Sequence, residues 1–280
     1  MKPIEKIISR IEEFPTLSTI YNTLSQKMED DLATATDIAS IISSDQSSTI
    51  KILKAVNSPI YGLRGNVTSI DQAVVYLGYN EIKNLVLALS VIETFAGKEL
   101  EEHITAKDFW SFSIATGILC RKIGISVRAK NIEEYFIAGI LHCIGRLVFL
   151  NSIPDIYSKV LDEAKNSKKN TKEIEKKEIG MSHTVAAQLL FEKWRIPKVL
   201  QQAVSHQDIG ICSDCDETLV ASLHLAVVSC SMLNIGFTGD YKVPKLNFQI
   251  WDTVKLPDQF FTGNLDSFKR EFDQTISILL

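Results

Sequence analysis

Apolar residues recur at intervals of three or four positions along most of this chain, which is the spacing of amphipathic helices. The pattern opens with Ile4, Ile7, Ile8 and Ile11 and runs as far as a final predicted helix over 265–279. Runs that alternate strictly between apolar and polar residues, typical of strands, are absent from the sequence. The pattern therefore predicts an all-α fold.

Residues that commonly start or stop helices lie between the predicted segments. Pro15 follows the first predicted helix, and Thr36 is placed to cap the third. Thr105, with Asp108 three residues later, makes a capping-box-like start for a long helix. The sequence thus predicts many helices joined by turns.

Residues 131–150 are apolar on almost every face and predict one helix buried in the middle of a domain. His142 and Arg146 interrupt this segment four residues apart, and so on one face of that helix. A buried imidazole needs a hydrogen-bond partner or a metal ion. Two interpretations stay open at this point: a hydrogen-bonded core histidine and a functional site.

The composition is that of an ordinary globular protein, with 45% hydrophobic and 23% charged residues. A net charge of -4 provides no broad basic field, which argues against general nucleic-acid binding. Residues 165–177 contain six lysines and two glutamates. This segment is predicted to be a solvated face, with a local nucleic-acid contact as the alternative.

Five cysteines, an odd number, and an N-terminus without an unbroken apolar stretch predict a cytoplasmic protein. Cys212 and Cys215 form a lone C-x2-C pair, which is a weak zinc signal without a second pair. Residues 219–237 carry no formal charge, but His224 and Asn234 suit a buried core helix better than a membrane span. No membrane association is expected.

Three histidines occupy notable places in the predicted helices. His142 lies within a helix, His183 at a helix start and His206 at a helix end. Separate helices can bring such residues to one pocket, as they do in helical metal sites. Spacing alone does not establish that these three converge.

A series of short sequence words, in matching order and spacing, resembles the HDOD family, the HD-related output domain of bacterial signalling proteins. The resemblance extends over about residues 7–210. The words are FPTL (14–17), IISSD (41–45), LKAVNSPIYG (53–62), SIDQAV (69–74), LG (77–78), FWSFS (109–113), AGILH (138–142), GMSH (180–183) and WRIP (194–197).

This resemblance implies an N-terminal helical lobe packed on an HD-like helical core. We assign residues 1–97 to the lobe, 98–210 to the core and 211–280 to a C-terminal helical extension packed on the core. The polar stretch 97–105, which contains Gly97, is the expected lobe boundary. Family members are regarded as regulatory or output modules with an incomplete metal site.

Aligned by these words, the chain departs from HD phosphohydrolases at most metal-ligand positions. Cys143 replaces the Asp of the HD pair, Phe112 stands at the first histidine, and Val227 lies near the closing Asp. Gln207 follows His206 where some HD subfamilies have a second histidine. His142, His183 and His206 remain and could hold a single divalent metal, with Cys143 as a further remnant candidate. Without a bridging carboxylate, two-metal phosphoester hydrolysis is not expected, so no catalytic residue, metal or cofactor is assigned.

Two hypotheses follow. The first is a non-catalytic bacterial signalling module that binds a partner protein or a ligand, with Asn57, Ser58 and Tyr61 of the loop 57–62 as candidate contacts. The alternative is a purely structural role for this loop, in which Asn57 caps its helix and Tyr61 packs into the lobe interface. The second hypothesis is a residual HD-type phosphohydrolase or phosphodiesterase that uses the three histidines and the Cys143 thiolate.

Overall fold

The structure is a computed structural model that describes residues 2–30, 32–63, 65–95 and 104–280. Within these ranges every regular element is a helix, so the predicted all-α fold is confirmed. Two compact units make up the chain. The first comprises Met1–Pro15, Gly97–Lys130 and Glu134–Leu256, and the second comprises Thr16–Ala96, Asn131–Glu133 and Pro257–Leu280.

The first unit contains α1 and most of the helices of the chain's second half. They are α1 (Pro3–Glu13), α7 (Ala106–Ser126), α8 (Ile132–Leu141, which begins in the second unit), α9 (Ile144–Ser152), α10 (Pro154–Ser167), α11 (Thr171–Glu178), α12 (His183–Trp194), α13 (Lys198–His206), α14 (Glu217–Met232) and the 3-10 helix Phe248–Asp252. Helix α12 packs against α9, and α14 packs against α7.

The second unit contains the helices of the first half and the last helix. They are α2 (Thr19–Lys27), α3 (Ala35–Ser43), α4 (Gln46–Val56), α5 (Ile70–Leu77), α6 (Tyr79–Phe95) and α15 (Phe260–Leu279). Helix α3 packs against α2 and α5, and α15 packs against α4. The boundaries of the two units differ from the expected domain bounds 1–97, 98–210 and 211–280. The expected three-part division stays a prediction. Most of the expected boundary at 97–105 lies outside the described residues.

Helix α1 belongs to the first unit because α12 holds its C-terminal end. Lys193 Nζ donates to the carbonyl oxygens of Ile11, Glu12 and Phe14 at 2.9, 2.6 and 2.8 Å. The last carbonyls of a helix lack the usual intrahelical partner. Phe14 N donates to the Ile11 carbonyl at 3.1 Å, and the ammonium group adds a donor for all three carbonyls. Ile7 and Ile11 are buried on the inner face of α1.

The capping predictions were confirmed at one helix and wrong at another. Thr105 Oγ1 accepts from the Asp108 backbone N–H at 3.0 Å, as predicted for α7. Helix α3 begins two residues earlier than the Thr36 cap predicted, because Thr34 and Asp37 form a reciprocal pair. Thr34 Oγ1 accepts from Asp37 N at 3.2 Å, and Asp37 Oδ2 accepts from Thr34 N at 3.0 Å.

The prediction of one helix over 131–150 was wrong. Helix α8 ends at Leu141 and α9 begins at Ile144, so His142 and Cys143 form a turn between them. By length and composition the segment Ile132–Ser152 could cross a membrane, but 94% of its apolar window is buried within the molecule. The apolar residues on every face of this segment therefore predicted its burial correctly. They did not predict the turn that separates α8 from α9.

Cys212 and Cys215 are joined in a disulfide that spans three residues. This bond was not predicted from the cysteine pattern, and Cys120, Cys143 and Cys230 are free and buried. The disulfide of the C-x2-C pair thus cross-links a short stretch of the loop that precedes α14.

Lys193→Met is expected to lower the free energy of unfolding by about 1–3 kcal/mol, because three backbone carbonyls at the end of α1 lose their bonds to the ammonium group. Lys198→Met, at an exposed position of the same unit, is the matched control and is expected to change little. Urea denaturation of both variants measures the difference. Equal stability of the two variants would show that the Lys193 bonds do not hold α1.

Candidate functional site

A cavity of about 600 Å³ opens within the first unit. Its walls come from α7, α9, α11, α12 and α14, from the turn between α8 and α9, and from residues 207–208 and 234–245. His142, Cys143 and His183 line it, together with Phe112, Gln207 and Val227. The residues that the resemblance placed at HD ligand positions therefore surround one cavity, with the exception of His206.

His142 lies in the turn at the inner wall and is 4% exposed. Its Nδ1 donates to the Gly139 carbonyl oxygen at 2.6 Å, which leaves Nε2 as the acceptor nitrogen. Burial lowers the pKa of His142 to about 4, the Gly139 bond opposes this shift, and the Arg146 charge adds to it. The imidazole is therefore neutral at pH 7.

Cys143 does not substitute for a carboxylate. Its side chain is buried, and its Sγ lies 3.2 Å from Ser113 Oγ, close enough for a hydrogen bond. Burial raises the pKa of the Cys143 thiol to about 11, although Ser113 and Arg146 oppose the shift. A neutral thiol at pH 7 offers no negative charge to a cation.

His183 at the start of α12 is held by Glu175 of α11. The carboxylate accepts from His183 N at 2.8 Å and from His183 Nδ1 at 2.7 Å, and it also accepts from Tyr157 Oη at 3.1 Å. Burial raises the pKa of Glu175, but the charge and hydrogen bonds of His183 and the Arg146 charge outweigh burial and hold it below its usual range. Glu175 is thus an ionised carboxylate with no exposed surface.

The prediction that residues 165–177 form a solvated face was wrong for part of the segment. Thr171, Ile174 and Glu175 are buried, while most of the lysines are exposed or half-buried. Because the segment is rich in lysine, its composition gave no sign that one face of α11 is buried. The available signal is the spacing of the three buried residues: Ile174 and Glu175 lie three and four positions after Thr171 and so on the same side of the helix.

Arg146 carries a positive charge to the cavity wall and is 3% exposed. Its guanidinium donates to the Thr238 carbonyl and hydroxyl oxygens and to Asp240 Oδ2. Asp240 Oδ1 in turn accepts from Thr171 N at 2.8 Å and from Thr171 Oγ1 at 2.9 Å. The sequence missed Asp240, because nothing local indicates that a residue 94 positions away neutralises Arg146.

His206 does not line the cavity. It is half-buried near the end of α13, and its Nδ1 donates to the Gln202 carbonyl oxygen at 3.0 Å, one turn back in the same helix. The next residue, Gln207, is turned inward instead and is 3% exposed. Only two of the three candidate histidines, His142 and His183, therefore line the cavity.

A metal centre of the HD type does not fit these donors. His142 and His183 could each present Nε2, but Cys143 is a neutral thiol, and Phe112 and Val227 have no ligand atom. In the part of the chain that the structure describes, no group of three His, Cys, Asp or Glu side chains is arranged to hold a metal ion. The cavity is instead a polar pocket with an internally balanced charge pair.

The loop 57–62 lies in the second unit, and its polar groups are used within that unit. Asn57 Nδ2 donates to the Leu53 and Val67 carbonyl oxygens at 2.9 and 2.8 Å, and Asn57 Oδ1 accepts from Val67 N at 2.8 Å. Ser58 is buried, and Tyr61 Oη donates to Glu133 Oε2 at 3.2 Å. These contacts favour the structural interpretation of Asn57, Ser58 and Tyr61.

These observations define a helical HD-like protein whose ligand positions are altered. The model of the HDOD domain family matches residues 14–209, and the chain belongs to this family. An uncharacterized protein of Treponema pallidum (strain Nichols) is 22% identical over 245 residues, which are 85% of this chain and 46% of that protein. The chain thus spans less than half the length of this curated relative.

Solved structures share the fold at low sequence identity. An HDOD domain protein of unknown function from Geobacter sulfurreducens is similar with a TM-score of 0.79, 20% identity and 99% of both chains covered. A protein of Shewanella amazonensis SB2B whose name suggests a phosphohydrolase has a TM-score of 0.77, 20% identity and 98% coverage of both. A protein of Marinobacter aquaeolei VT8 whose name suggests signal transduction has a TM-score of 0.75 and 17% identity, with 99% of this chain and 65% of that one covered.

The free energy of unfolding is expected to fall as the pH decreases from 6.5 to about 4, because the unfolded chain protonates His142 near 6.5 and the folded protein only near 4. The folded pKa of this base is depressed, so acid favours the unfolded state throughout this window. The loss amounts to about 3 kcal/mol for this group at pH 4. Denaturation at pH 7, 6, 5 and 4 measures it.

His142→Gln is the variant for that experiment, and His206→Gln is its matched control. We expect the slope between pH 6.5 and 4 to become shallower in His142→Gln alone. An unchanged slope in this variant would show that His142 titrates normally in the folded protein.

Tyr61→Ala is expected to lower the free energy of unfolding by about 1–3 kcal/mol, since a half-buried ring and its bond to Glu133 are lost. Tyr61→Phe keeps the ring and should cost about 1 kcal/mol. Thermal and urea denaturation test both variants. If Tyr61→Ala leaves the stability unchanged, the result would support the hypothesis that the loop is a recognition element.

Proposed function

We propose that this chain is a non-catalytic output module of signal transduction that acts by binding a partner protein or a small ligand. The observation that carries the proposal is the state of Cys143. This residue stands at the position of the bridging Asp, is buried beside Ser113 and has a thiol pKa raised to about 11 by burial.

Charge supports the same proposal. Two adjacent divalent ions need anionic ligands, and a bridging carboxylate supplies them in two-metal sites. Here His142 is neutral at pH 7, and the carboxylate of Asp240 is engaged by Arg146 and Thr171. The inner wall therefore offers imidazole nitrogens without the bridging carboxylate that two-metal phosphoester hydrolysis requires.

The proposal includes a setting and a partner class. We place the module in a bacterial cytoplasm, with a signalling protein as its partner and with neither nucleic acid nor a membrane as its target. The net charge of -4 supports the exclusion of nucleic acid. Membership of the HDOD family supports a regulatory role.

A residual metal-dependent phosphohydrolase or phosphodiesterase is the second candidate. It is favoured by the two histidines that share the cavity, because Nδ1 of His142 is bonded to the Gly139 carbonyl and Nδ1 of His183 to the Glu175 carboxylate. Hydrogen bonds that fix the second ring nitrogen in this way are typical of metal-ligating histidines. This activity would use His142, His183 and the Cys143 thiolate.

Turnover of phosphate esters distinguishes the two candidates. We expect no hydrolysis of cyclic dinucleotides, nucleotides or a chromogenic phosphodiester above contaminant level with added Mn, Mg, Fe(II) or Zn. His142→Ala, purified in the same way, is the control for contaminants. Turnover by the parent protein that disappears in His142→Ala would establish the second candidate.

A further inference from the structure

Four large apolar side chains of the first unit are exposed in two separate segments. Ile209 and Ile211, in the loop after α13, are 59% and 40% exposed. Phe248 and Trp251, in the 3-10 helix, are 72% and 38% exposed, and Phe248 is the most exposed phenylalanine among the residues that the structure describes. Single exposed apolar residues are ordinary, so the meaning of these four depends on whether they form one surface.

Two contacts hold the loop against the 3-10 helix. Asn247, the residue before this helix, donates from Nδ2 to the Ile209 carbonyl oxygen at 2.8 Å. A Cβ at Gly210 would lie 2.9 Å from Ile250 Cγ2, so the loop backbone passes directly against the buried side chain of the helix. The isoleucines on either side of Gly210 therefore lie next to the 3-10 helix.

The two aromatic residues share an edge of that helix. Residues three positions apart on a 3-10 helix are eclipsed, so Phe248 and Trp251 lie along one edge and the buried Ile250 lies on another. The loop and this edge together make one exposed surface. We call it the apolar face, and it consists of Ile209, Ile211, Phe248 and Trp251.

Carboxylates predominate around the apolar face. Residues 208–217 and 245–255 contain five carboxylates and two lysines, Lys245 and Lys255. Lys172 neutralises one of the carboxylates, that of Asp208. The other four are exposed and have no ion-pair partner within the part of the chain that the structure describes; they are Asp214, Asp216, Glu217 and Asp252. The surroundings of the apolar face are therefore negatively charged.

Both segments of the apolar face are fixed in place. The disulfide between Cys212 and Cys215 cross-links the loop, and Gln202 Nε2 of α13 donates to the Asp214 carbonyl oxygen at 3.0 Å. The side chain of Asn247 caps the 3-10 helix. A surface that is already ordered loses little conformational entropy when a partner binds to it.

We propose that the apolar face docks a segment of a partner protein in which aromatic or aliphatic side chains are flanked by lysine or arginine. Aromatic residues supply much of the binding energy in protein interfaces, and Phe248 and Trp251 are available to pack against apolar anchors. Basic side chains beside those anchors complement the exposed carboxylates. The inference rests on the proposed partner-binding function and states the chemistry of the partner.

Charge disfavours two other occupants of the apolar face. A second copy of the chain related by a twofold axis would bring the same carboxylates against each other. An anionic lipid surface would be repelled by them as well. A basic protein segment has the complementary charge.

The test uses a display library of short random peptides selected on the full chain. Peptides without tryptophan are then synthesised and followed by the fluorescence of Trp251, because Trp110 and Trp194 are buried. We expect the selected peptides to combine apolar residues with lysine or arginine and to shift the emission to shorter wavelength. Their binding should weaken as salt is added, and Trp251→Phe should remove the shift.

Matched variants locate the binding, which is then measured with labelled peptides. Phe248→Ser should weaken it about tenfold or more, while Phe261→Ser, at an exposed phenylalanine of α15, should preserve it. Glu217→Lys with Asp252→Lys should also weaken it, and Glu192→Lys, at an exposed position of α12, is the control. If Phe248→Ser does not fold, the charge variants still decide the question.

Several results would overturn the inference. Selection of acidic peptides, or of none, would contradict the stated chemistry. Peptides that bind Phe248→Ser as tightly as the parent would remove the apolar face but leave the partner-binding function in place. Self-association that Phe248→Ser abolishes in sedimentation would assign the face to a second copy, and capture of phosphatidylglycerol vesicles would assign it to a membrane. Hydrolysis of phosphate esters would instead contradict the proposed function, so the two failures are distinguishable.

Discussion

The buried ion pair between Arg146 and Asp240 organises the cavity of the first unit. Arg146 is on α9, and Asp240 also receives the backbone and hydroxyl donors of Thr171 at the start of α11, so one charge pair joins three segments. Removal of one partner of a buried pair leaves an uncompensated charge at a typical cost of about 3–5 kcal/mol. Because 22% of the Asp240 side chain is exposed, the lower end, about 3 kcal/mol, applies here.

This pair changes what the HD-like arrangement can do. The cavity already contains a cation, the Arg146 guanidinium, and its pKa is held above the ordinary value because the charge of Asp240 outweighs the effect of burial. Asp240 remains ionised for the same reason: burial raises its pKa, but Arg146 and the bonds from Thr171 outweigh burial. The fixed charge of the guanidinium disfavours a further dication at this wall.

The helical fold and the central place of residues 131–150 could be predicted, because both depend on apolar spacing. The break at His142–Cys143 could not, since it is set by neighbours distant in sequence. Gly145 approaches α12 so closely that a Cβ would lie 1.8 Å from the His183 carbonyl oxygen. Gln207, 65 residues away, takes the His142 carbonyl that the turn frees. The resemblance likewise offered His206 as a remnant ligand, but the end of α13 turns Gln207 inward instead.

A chain of hydrogen bonds with a single direction connects the cavity to the segment before the 3-10 helix. The Asn247 backbone N–H can only donate, so His224 Nε2 accepts it at 3.0 Å and the His224 proton is on Nδ1. That proton goes to the Gln207 carbonyl, and Gln207 Nε2 donates to His142. His224 thus holds the backbone of Gln207, and the His142 carbonyl fixes the orientation of its side-chain amide.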